Sequence, residues 1–223
     1  MTPIIHWNEF MSPIWLSLRV SIVSSVIVFI LGIIVARMMT RRKVRGRIWI
    51  ETFFMLPLVL PPTVVGFILL VLLGRRGFIG ETIEYLFRQP IIFTWIAAVV
   101  AAVVVAFPLV YQTMKVGFQS VDPSLEDAAR SNGANEWQVL WHVTLPLASR
   151  SLFVAFILGF ARGLGEFGAT LMVAGNIPTR TQTLPTAIYV AVDTGNMQLA
   201  WLWTIAIMII SFLLLMITNL KKS

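Results

Sequence analysis

Residues 124–148 read SLEDAARSNGANEWQVLWHVTLPLA and separate two long apolar runs with acids, amides and a glycine. Of the 223 residues in the chain, 58% are hydrophobic and only 12% are charged, with a mean hydropathy of +0.86. Soluble domains carry about 25% charged residues. A polar segment in such an apolar chain indicates a loop outside a membrane, and the runs that flank it indicate membrane spans.

Five apolar windows are long enough to cross a bilayer as helices. A helix satisfies its own backbone hydrogen bonds, and roughly 20 residues span ~30 Å of hydrocarbon. The predicted spans are residues 14–36, 48–73, 93–112, 152–175 and 199–219. Residues 184–192 are too short to cross and are predicted to be re-entrant or interfacial. We therefore predict an all-α polytopic membrane protein with one transmembrane domain, residues 1–223, and a cytoplasmic loop at 113–150.

Lysine and arginine are distributed unevenly between the two sides of these spans. With the N-terminus outside, 11 of the 17 fall on the cytoplasmic side: Arg37, Arg41, Arg42, Lys43, Arg45, Arg47, Lys115, Arg130, Arg150, Lys221 and Lys222. The opposite side receives Arg75, Arg76, Arg88 and Arg180. The positive-inside rule then predicts an external N-terminus and a cytoplasmic C-terminus. The formal charge of +7 mostly reflects this topology beside anionic lipid and gives little reason to predict nucleic acid binding.

Residues that carry catalysis are scarce in this chain. There is no cysteine, and the two histidines, His6 and His142, have no partner at metal-ligand spacing. The phosphate-loop pattern G-x-x-x-x-G-K-[ST] is also missing. The sequence therefore predicts a protein that is not an enzyme and has no catalytic residue, metal or cofactor of its own.

Local signals in the polar loop predict two helical segments. Asp122 before Pro123 is typical of an N-cap and first turn, and Gly133 suits a left-handed helix end. Asn135 is expected to cap a second segment that ends before Pro146. The first segment has a face of small and apolar residues, Leu125, Ala128, Ala129 and Asn132, flanked by Glu126, Asp127 and Arg130. Such a face suits docking into a groove of another protein.

The spacing in this loop resembles the EAA loop of bacterial ABC-importer permeases, E-A-A-x3-G-x9-I-x-L-P. Asp127-Ala128-Ala129 is followed at that spacing by Gly133 and Val143-Thr144-Leu145-Pro146, with Asp replacing the first Glu and Val replacing Ile. The resemblance implies a type I importer permease whose loop forms a coupling helix in a cleft of a cytoplasmic ATPase. The implied coupling residues are Leu125, Glu126, Asp127, Ala128, Ala129, Gly133, Leu145 and Pro146.

Two further segments make the resemblance specific to one subgroup of these permeases. Residues 56–81, LPLVLPPTVVGFILLVLLGRRGFIGE, and residues 160–178, FARGLGEFGATLMVAGNIP, look like the molybdate-transporter permease subgroup. This implies an importer in a bacterial or archaeal inner membrane, with two copies of the permease, two ATPases that bind ATP and Mg, and an external binding protein for molybdate or tungstate. The alternatives are a permease for sulfate or another small anion and a secondary transporter, which would normally show two related halves or coupling acids.

Charged and helix-breaking residues within the spans are candidates for the translocation path. Arg162 and Glu166 lie four residues apart and so can pair on one helix face. Pro61 and Pro62 must kink or unwind the second span, which can expose backbone N–H groups to an anion. Packing alone is the alternative explanation for both features. The predicted path or gate residues are Pro61, Pro62, Arg162, Gly163, Glu166 and Gly168.

Two other motifs have more than one interpretation each. Arg75 and Arg76 are predicted at the external mouth, where they steer an oxyanion, contact a binding protein or anchor the helix end. Gly159 and Gly163 form a G-x-x-x-G step that permits close helix approach. For this step, packing within one subunit is favoured over contact between subunits.

Overall fold

The computed structural model describes residues 7–41 and 45–220, with side chains up to residue 217, and every regular element among them is helical. His6, Arg42, Lys43, Lys221 and Lys222 lie outside the described residues. The elements are α1 (Trp7–Arg41), α2 (Arg47–Val59), α3 (Pro62–Leu73), α4 (Phe78–Phe87), α5 (Trp95–Gln119), α6 (Pro123–Ser131), α7 (Glu136–Val139), a π turn (Leu140–Thr144), α8 (Leu145–Leu164), α9 (Gly168–Ala174), α10 (Leu184–Asp193) and α11 (Met197–Leu220).

Four helices in the described part of the chain are long and apolar enough to cross a membrane. They are α1, α5, α11 and the continuous helix Glu136–Leu164, which joins α7, the π turn and α8. The predicted span at 48–73 is instead a bent pair, because the helix direction changes by 113° between α2 and α3. Pro61 and Pro62 explain the break, since proline has no N–H to donate and its ring clashes with the preceding turn. The count of five spans therefore holds only when the bent pair is taken as one.

The centre of the bundle is formed by α1, α5 and α8. Small buried residues of α5, among them Ala98 and Ala102, let the other two helices approach closely. A Cβ on Gly163 would lie 2.9 Å from Ser24 Oγ of α1, and one on Gly159 would lie 3.0 Å from Val110 of α5. The G-x-x-x-G step thus packs α8 within its own subunit, as favoured from the sequence.

The helix at the predicted span 152–175 begins and ends at other residues than predicted. The helix begins earlier, because α7 continues into α8, and it ends at Leu164. Glycines at 163, 165 and 168 lower the helix propensity there. The Glu166 carboxylate then accepts a hydrogen bond from the Ala169 N–H at 2.9 Å, which stabilises the first turn of the separate helix α9.

The predicted helix end before Pro146 was also wrong. The Leu145 N–H donates to the Leu140 carbonyl, five residues back, so the chain passes through the π turn without a break. A π turn is wider than an α-helical turn and therefore leaves room for the ring of Pro146. The second helical segment of the polar loop and the apolar helix after it are consequently one helix of 29 residues.

Two short helices complete the fold. Helix α4 was not predicted, and it follows α3 after a tight turn in which a Cβ on Gly77 would lie 2.2 Å from the Val71 carbonyl oxygen. Helix α10 has 10 residues, about 15 Å of helix, which is too short to span the membrane. It packs against α11 and α1, where the Leu184 N–H donates to Ser17 Oγ at 2.7 Å.

Close backbone contact between α3 and α9 yields a stability prediction. A Cβ on Gly66 would lie 2.8 Å from Ala169 Cα and 2.8 Å from Met172 Cβ, so Gly66→Ala is expected to lower the free energy of unfolding by about 1–3 kcal/mol. Gly165→Ala is the matched control, because its Cβ would meet only the Ala161 carbonyl oxygen at 3.6 Å. Thermal unfolding of the purified variants measures both effects. Equal losses for the two variants would contradict the close contact.

Candidate functional site

The predicted coupling loop is built by local capping interactions. Asp122 Oδ1 accepts a hydrogen bond from the Ser124 N–H at 2.9 Å, and this bond lowers the pKa of Asp122. Helix α6 ends at Ser131 with Asn132 as its C-cap, and Gly133 follows with φ of +88°. Asn135 and Gln138 then form a capping box at the start of α7, with bonds of 2.8 and 2.9 Å. These start and stop signals were predicted correctly from the sequence.

The small-residue face of α6 points to solvent. Leu125, Ala128 and Asn132 are exposed and Ala129 is half-buried. An open groove runs beside this face and is lined by Ala129, Asn132, Gly133, Ala134, Gln138, His142 and Val143. Leu145 and Pro146 lie at the start of α8, outside the groove lining. The exposed face and the groove form a concave surface with small side chains at its floor, which suits an inserted partner segment.

Glu126 does not share this exposed face. It is 7% exposed, and its carboxylate accepts hydrogen bonds from Arg37 Nη1 at 2.9 Å and from the Thr144 hydroxyl. The same carboxylate forms an ion pair with Arg41. We name Glu126, Arg37, Arg41 and Thr144 the Glu126 cluster. Because its members lie on α6, α1 and the π turn, the cluster fastens α6 to two of the long apolar helices.

Exposed acids surround the Glu126 cluster. Arg130 contacts Asp127 at 2.6 Å and Glu136 at 2.6 Å, and Glu136 also lies 3.6 Å from Arg41. Asp127 and Glu136 are largely solvent-exposed, so each of these ion pairs contributes little to stability. The buried carboxylate of Glu126 is therefore the main electrostatic link at this end of the molecule.

Two helix breaks meet at the predicted path residues. Pro61 is the N-cap of α3, and Pro62 is its first residue. A Cβ on Gly168, the first residue of α9, would lie 3.1 Å from Pro62 Cβ and 3.4 Å from the Thr63 nitrogen. The start of α3 and the start of α9 are therefore in contact, which the sequence did not indicate.

Arg162 and Glu166 form the predicted pair, with Arg162 Nη1 2.8 Å from Glu166 Oε2. Glu166 lies just beyond the end of α8 and not within a helix, which corrects the sequence interpretation. The side chain of Glu166 is 1% exposed, whereas that of Arg162 is 31% exposed. Gly163 points away from this pair into the contact with α1, so its role is packing.

A third acid, the half-buried Glu51, accepts most of its hydrogen bonds from helix α5. Glu51 Oε1 accepts from Arg47 Nε at 2.9 Å, Lys115 Nζ at 2.8 Å and the Tyr111 hydroxyl at 3.1 Å. Only the Arg47 contact, at i and i+4, is visible from sequence spacing. The other two donors come from α5, about 60 residues away. This cluster joins α2, which has no buried residue of its own, to the central bundle.

The residues predicted at the external mouth lie in the turn between α3 and α4. Arg75 and Arg76 are both exposed, and Arg75 Nε is 3.7 Å from Glu84 Oε1 of α4. Within the described ranges, no group of three or more His, Cys, Asp or Glu residues is arranged to hold a metal ion.

Comparison with known sequences places the chain in a transporter family. Residues 28–220, which include the coupling loop and both helix breaks, match the family described as "Binding-protein-dependent transport system inner membrane component". The chain belongs to this family. It is therefore a membrane component of a transport system, as the resemblance in the loop implied.

Individual relatives cover most of the chain. This inner membrane component is 55% identical over 216 residues, 97% of this chain and 95% of the relative, to the putative molybdenum transport system permease protein YvgM of Bacillus subtilis (strain 168). It is 44% identical over 179 residues, 80% and 78% of the two chains, to the molybdenum transport system permease protein ModB of Escherichia coli (strain K12). Identity to the sulfate transport system permease protein CysT of the same strain is 32% over 201 residues, 90% and 72% of the two chains.

The fold of this inner membrane component is also found in a solved transporter structure. A chain of a bacterial ABC transporter involved in the import of the acidic polysaccharide alginate matches with a TM-score of 0.75, covering 99% of this chain and 84% of that chain. The two sequences are only 16% identical, so this likeness concerns the fold. The helical architecture of an ABC-importer permease predicted from the sequence is thus confirmed.

Proposed function

We propose that this chain is the membrane-spanning permease subunit of an ATP-driven importer for molybdate or tungstate. The substrate assignment rests on the identity to the two molybdenum transport permeases, which exceeds the identity to the sulfate permease CysT. Import of sulfate or another small anion is the second candidate, because CysT is similar along 90% of this chain. The substrate passes through the chain without a covalent step, so the permease itself is not an enzyme.

The exposed face of α6 is the observation that carries the proposal. It presents small side chains to solvent while Glu126, on the same helix, is buried against α1 and the π turn. A helix that is anchored on one face and exposed on the other suits the docking of a partner whose motion must reach the spans. We assign this partner to a separate ATPase that binds ATP and Mg, with two copies for two permeases.

The proposed orientation places α6 in the cytoplasm and the N-terminus outside. Arg37 and Arg41 lie at the α6 end of α1, and α1 is about 52 Å long for its 35 residues, more than the ~30 Å of a bilayer core. The exposed Arg75 and Arg76 then lie at the external side, where an oxyanion-binding protein docks. A second copy of the chain completes the translocation path.

Labelled molybdate uptake into proteoliposomes tests this function. The vesicles contain this chain, its ATPase and its binding protein, with ATP inside and excess tungstate or sulfate as competitor. Uptake that requires ATP, is blocked by tungstate and is little changed by sulfate is the expected result. Equal competition by sulfate would shift the substrate to oxyanions in general, and uptake without ATP or partners would contradict the importer class.

A bulky residue on the docking face is expected to uncouple ATP hydrolysis from uptake. Ala129→Trp fills the groove beside α6, and we expect uptake to fall about tenfold, equivalent to ~1.4 kcal/mol of lost docking. Ser131→Trp is the control, because Ser131 is exposed but lies on the opposite side of the same helix. Uptake and ATPase rates are measured on the same vesicles. A similar loss in both variants would count against the assigned face.

A further inference from the structure

Arg162 lies at a depth where the membrane interior is expected. Arg150 is exposed near the cytoplasmic start of α8, and Arg162 is three turns further along the same helix, about 18 Å away. This distance falls within the ~30 Å hydrocarbon core. Its side chain is nevertheless 31% exposed. A charge facing lipid at this depth costs several kcal/mol, so charges in spans usually face a bundle interior or a water-filled cavity.

The buried Glu166 carboxylate binds the Arg162 guanidinium. Both carboxylate oxygens are used, Oε2 by Arg162 Nη1 at 2.8 Å and Oε1 by the Ala169 N–H at 2.9 Å. Among the described residues, no other hydrogen bond to the Arg162 guanidinium is found. An arginine has five N–H donors in a fixed plane. The buried acid therefore fixes the position of Arg162 and leaves donors on its open edge.

The open edge of Arg162 lies beside a strip of small residues. Ala161 and Gly165 are both exposed, and they lie one turn apart on the same side of α8. A Cβ on Gly165 would meet nothing closer than the Ala161 carbonyl oxygen at 3.6 Å. The helix that carries Arg162 therefore has small, exposed residues next to it in sequence.

The surrounding backbone is interrupted on two sides. Helix α8 ends two residues beyond Arg162, and α9, which Glu166 caps, begins against Pro62 at the start of α3. Non-helical backbone at membrane depth is tolerated where it is buried in protein or lines a water-filled cavity. Discontinuous helices that meet near the midplane form the substrate sites of many transporters.

We propose that the open edge of Arg162 is a contact site for the oxyanion in the translocation path, and that Glu166 is the positioning residue that presents it. The planar guanidinium fork matches two oxygens of a tetrahedral oxyanion. The charge of Glu166 offsets that of Arg162, so the contact is weak and the anion is released onward. This inference rests on the proposed function, since it names a site for the substrate class of that function.

Cysteine labelling tests the site directly, because the natural chain contains no cysteine. In the assembled transporter, Ala161→Cys is treated with a negatively or a positively charged methanethiosulfonate reagent. We expect the negative reagent to react about tenfold faster, because a positive site concentrates anions. Removing both charges, with Arg162→Gln and Glu166→Gln together, is expected to abolish this preference. Excess sodium molybdate is expected to slow labelling of Ala161→Cys.

Two positions serve as controls for this labelling. Arg76→Cys lies in an exposed loop and, before the binding protein is added, is expected to react with both reagents, with or without molybdate. Ile205→Cys lies on the exposed apolar face of α11 and is expected to be unreactive in a bilayer. The proposal would be overturned if Ala161→Cys were unreactive while Arg76→Cys reacted. It would also be overturned if Ala161→Cys were labelled at equal rates by the two reagents, or at rates that neither molybdate nor sulfate changed.

The labelling readout is independent of transport. It requires neither ATP hydrolysis nor uptake, so it can succeed when molybdate uptake fails. Suppose that Ala161→Cys prefers the negative reagent and that sulfate slows its labelling whereas molybdate does not. This result would support the oxyanion contact and overturn molybdate as the substrate. The failure of the site and the failure of the proposed function are therefore separate results.

Discussion

Glu126→Gln is expected to lower ATP-driven uptake by about tenfold or more while the ATPase remains bound to the exposed face of α6. The substitution removes the charge that pairs with Arg37 and Arg41 in a mostly buried site. Breaking a buried ion pair on one side typically costs ~3–5 kcal/mol, because the remaining charges are left uncompensated. Helix α6 would then no longer be fastened to α1, so its displacement by the ATPase would not reach the spans.

Glu136→Gln is the matched control for this experiment. Glu136 is an acid that approaches the same Arg41, at 3.6 Å, but its side chain is 67% exposed. Exposed pairs contribute about 0–1 kcal/mol, so we expect uptake within about twofold of the natural chain. Uptake, ATPase rate and co-purification of the ATPase are measured for both variants. Equal losses, or loss of ATPase binding in Glu126→Gln alone, would contradict a role in transmission.

Arg162→Met is expected to destabilise the protein by about 3 kcal/mol. The variant leaves the Glu166 side chain charged and 1% exposed, and within the described part of the chain its one remaining hydrogen-bond donor is the Ala169 N–H. Combining Arg162→Met with Glu166→Gln is expected to restore most of the loss, since no uncompensated charge then remains. At about 2–4 °C per kcal/mol for a chain of this size, the single variant should unfold about 6–12 °C lower.

A double-mutant cycle on the same two positions makes this prediction quantitative. Thermal unfolding is measured for the natural chain, each single variant and the double variant, so that the coupling between the two side chains is obtained directly. Additive losses would show that the two charges do not stabilise one another. Such a result would also weaken the positioning role of Glu166.

Features encoded by neighbouring residues were predicted well. The caps at Asp122 and Asn135 and the left-handed end at Gly133 each depend on residues within three positions of the affected backbone. The break at Pro61 follows from proline chemistry alone. The Arg162–Glu166 pair needed only the spacing of four residues.

Features that depend on distant packing were missed. The sequence interpretation placed Glu126 beside the predicted docking face, because its partner Arg37 lies 89 residues away in sequence on α1 and could not be anticipated. The donors to Glu51 from α5 were missed for the same reason. The continuity of α7 and α8 was missed because a π turn has no local sequence signal comparable to that of Pro146. Contacts between Pro62 and Gly168 likewise appear only when both broken helices are folded.

The π turn gives the molecule a mechanical property. Because the helix from Glu136 to Leu164 is unbroken, its 29 residues form a rod about 43 Å long that extends from the groove beside α6 to just beyond Arg162. A rod of this length works as a lever: a tilt of about 5° around its midpoint moves each end by about 2 Å in opposite directions. A flexible joint at Pro146 would absorb such a tilt, whereas the continuous helix delivers it from one side of the bilayer towards the other.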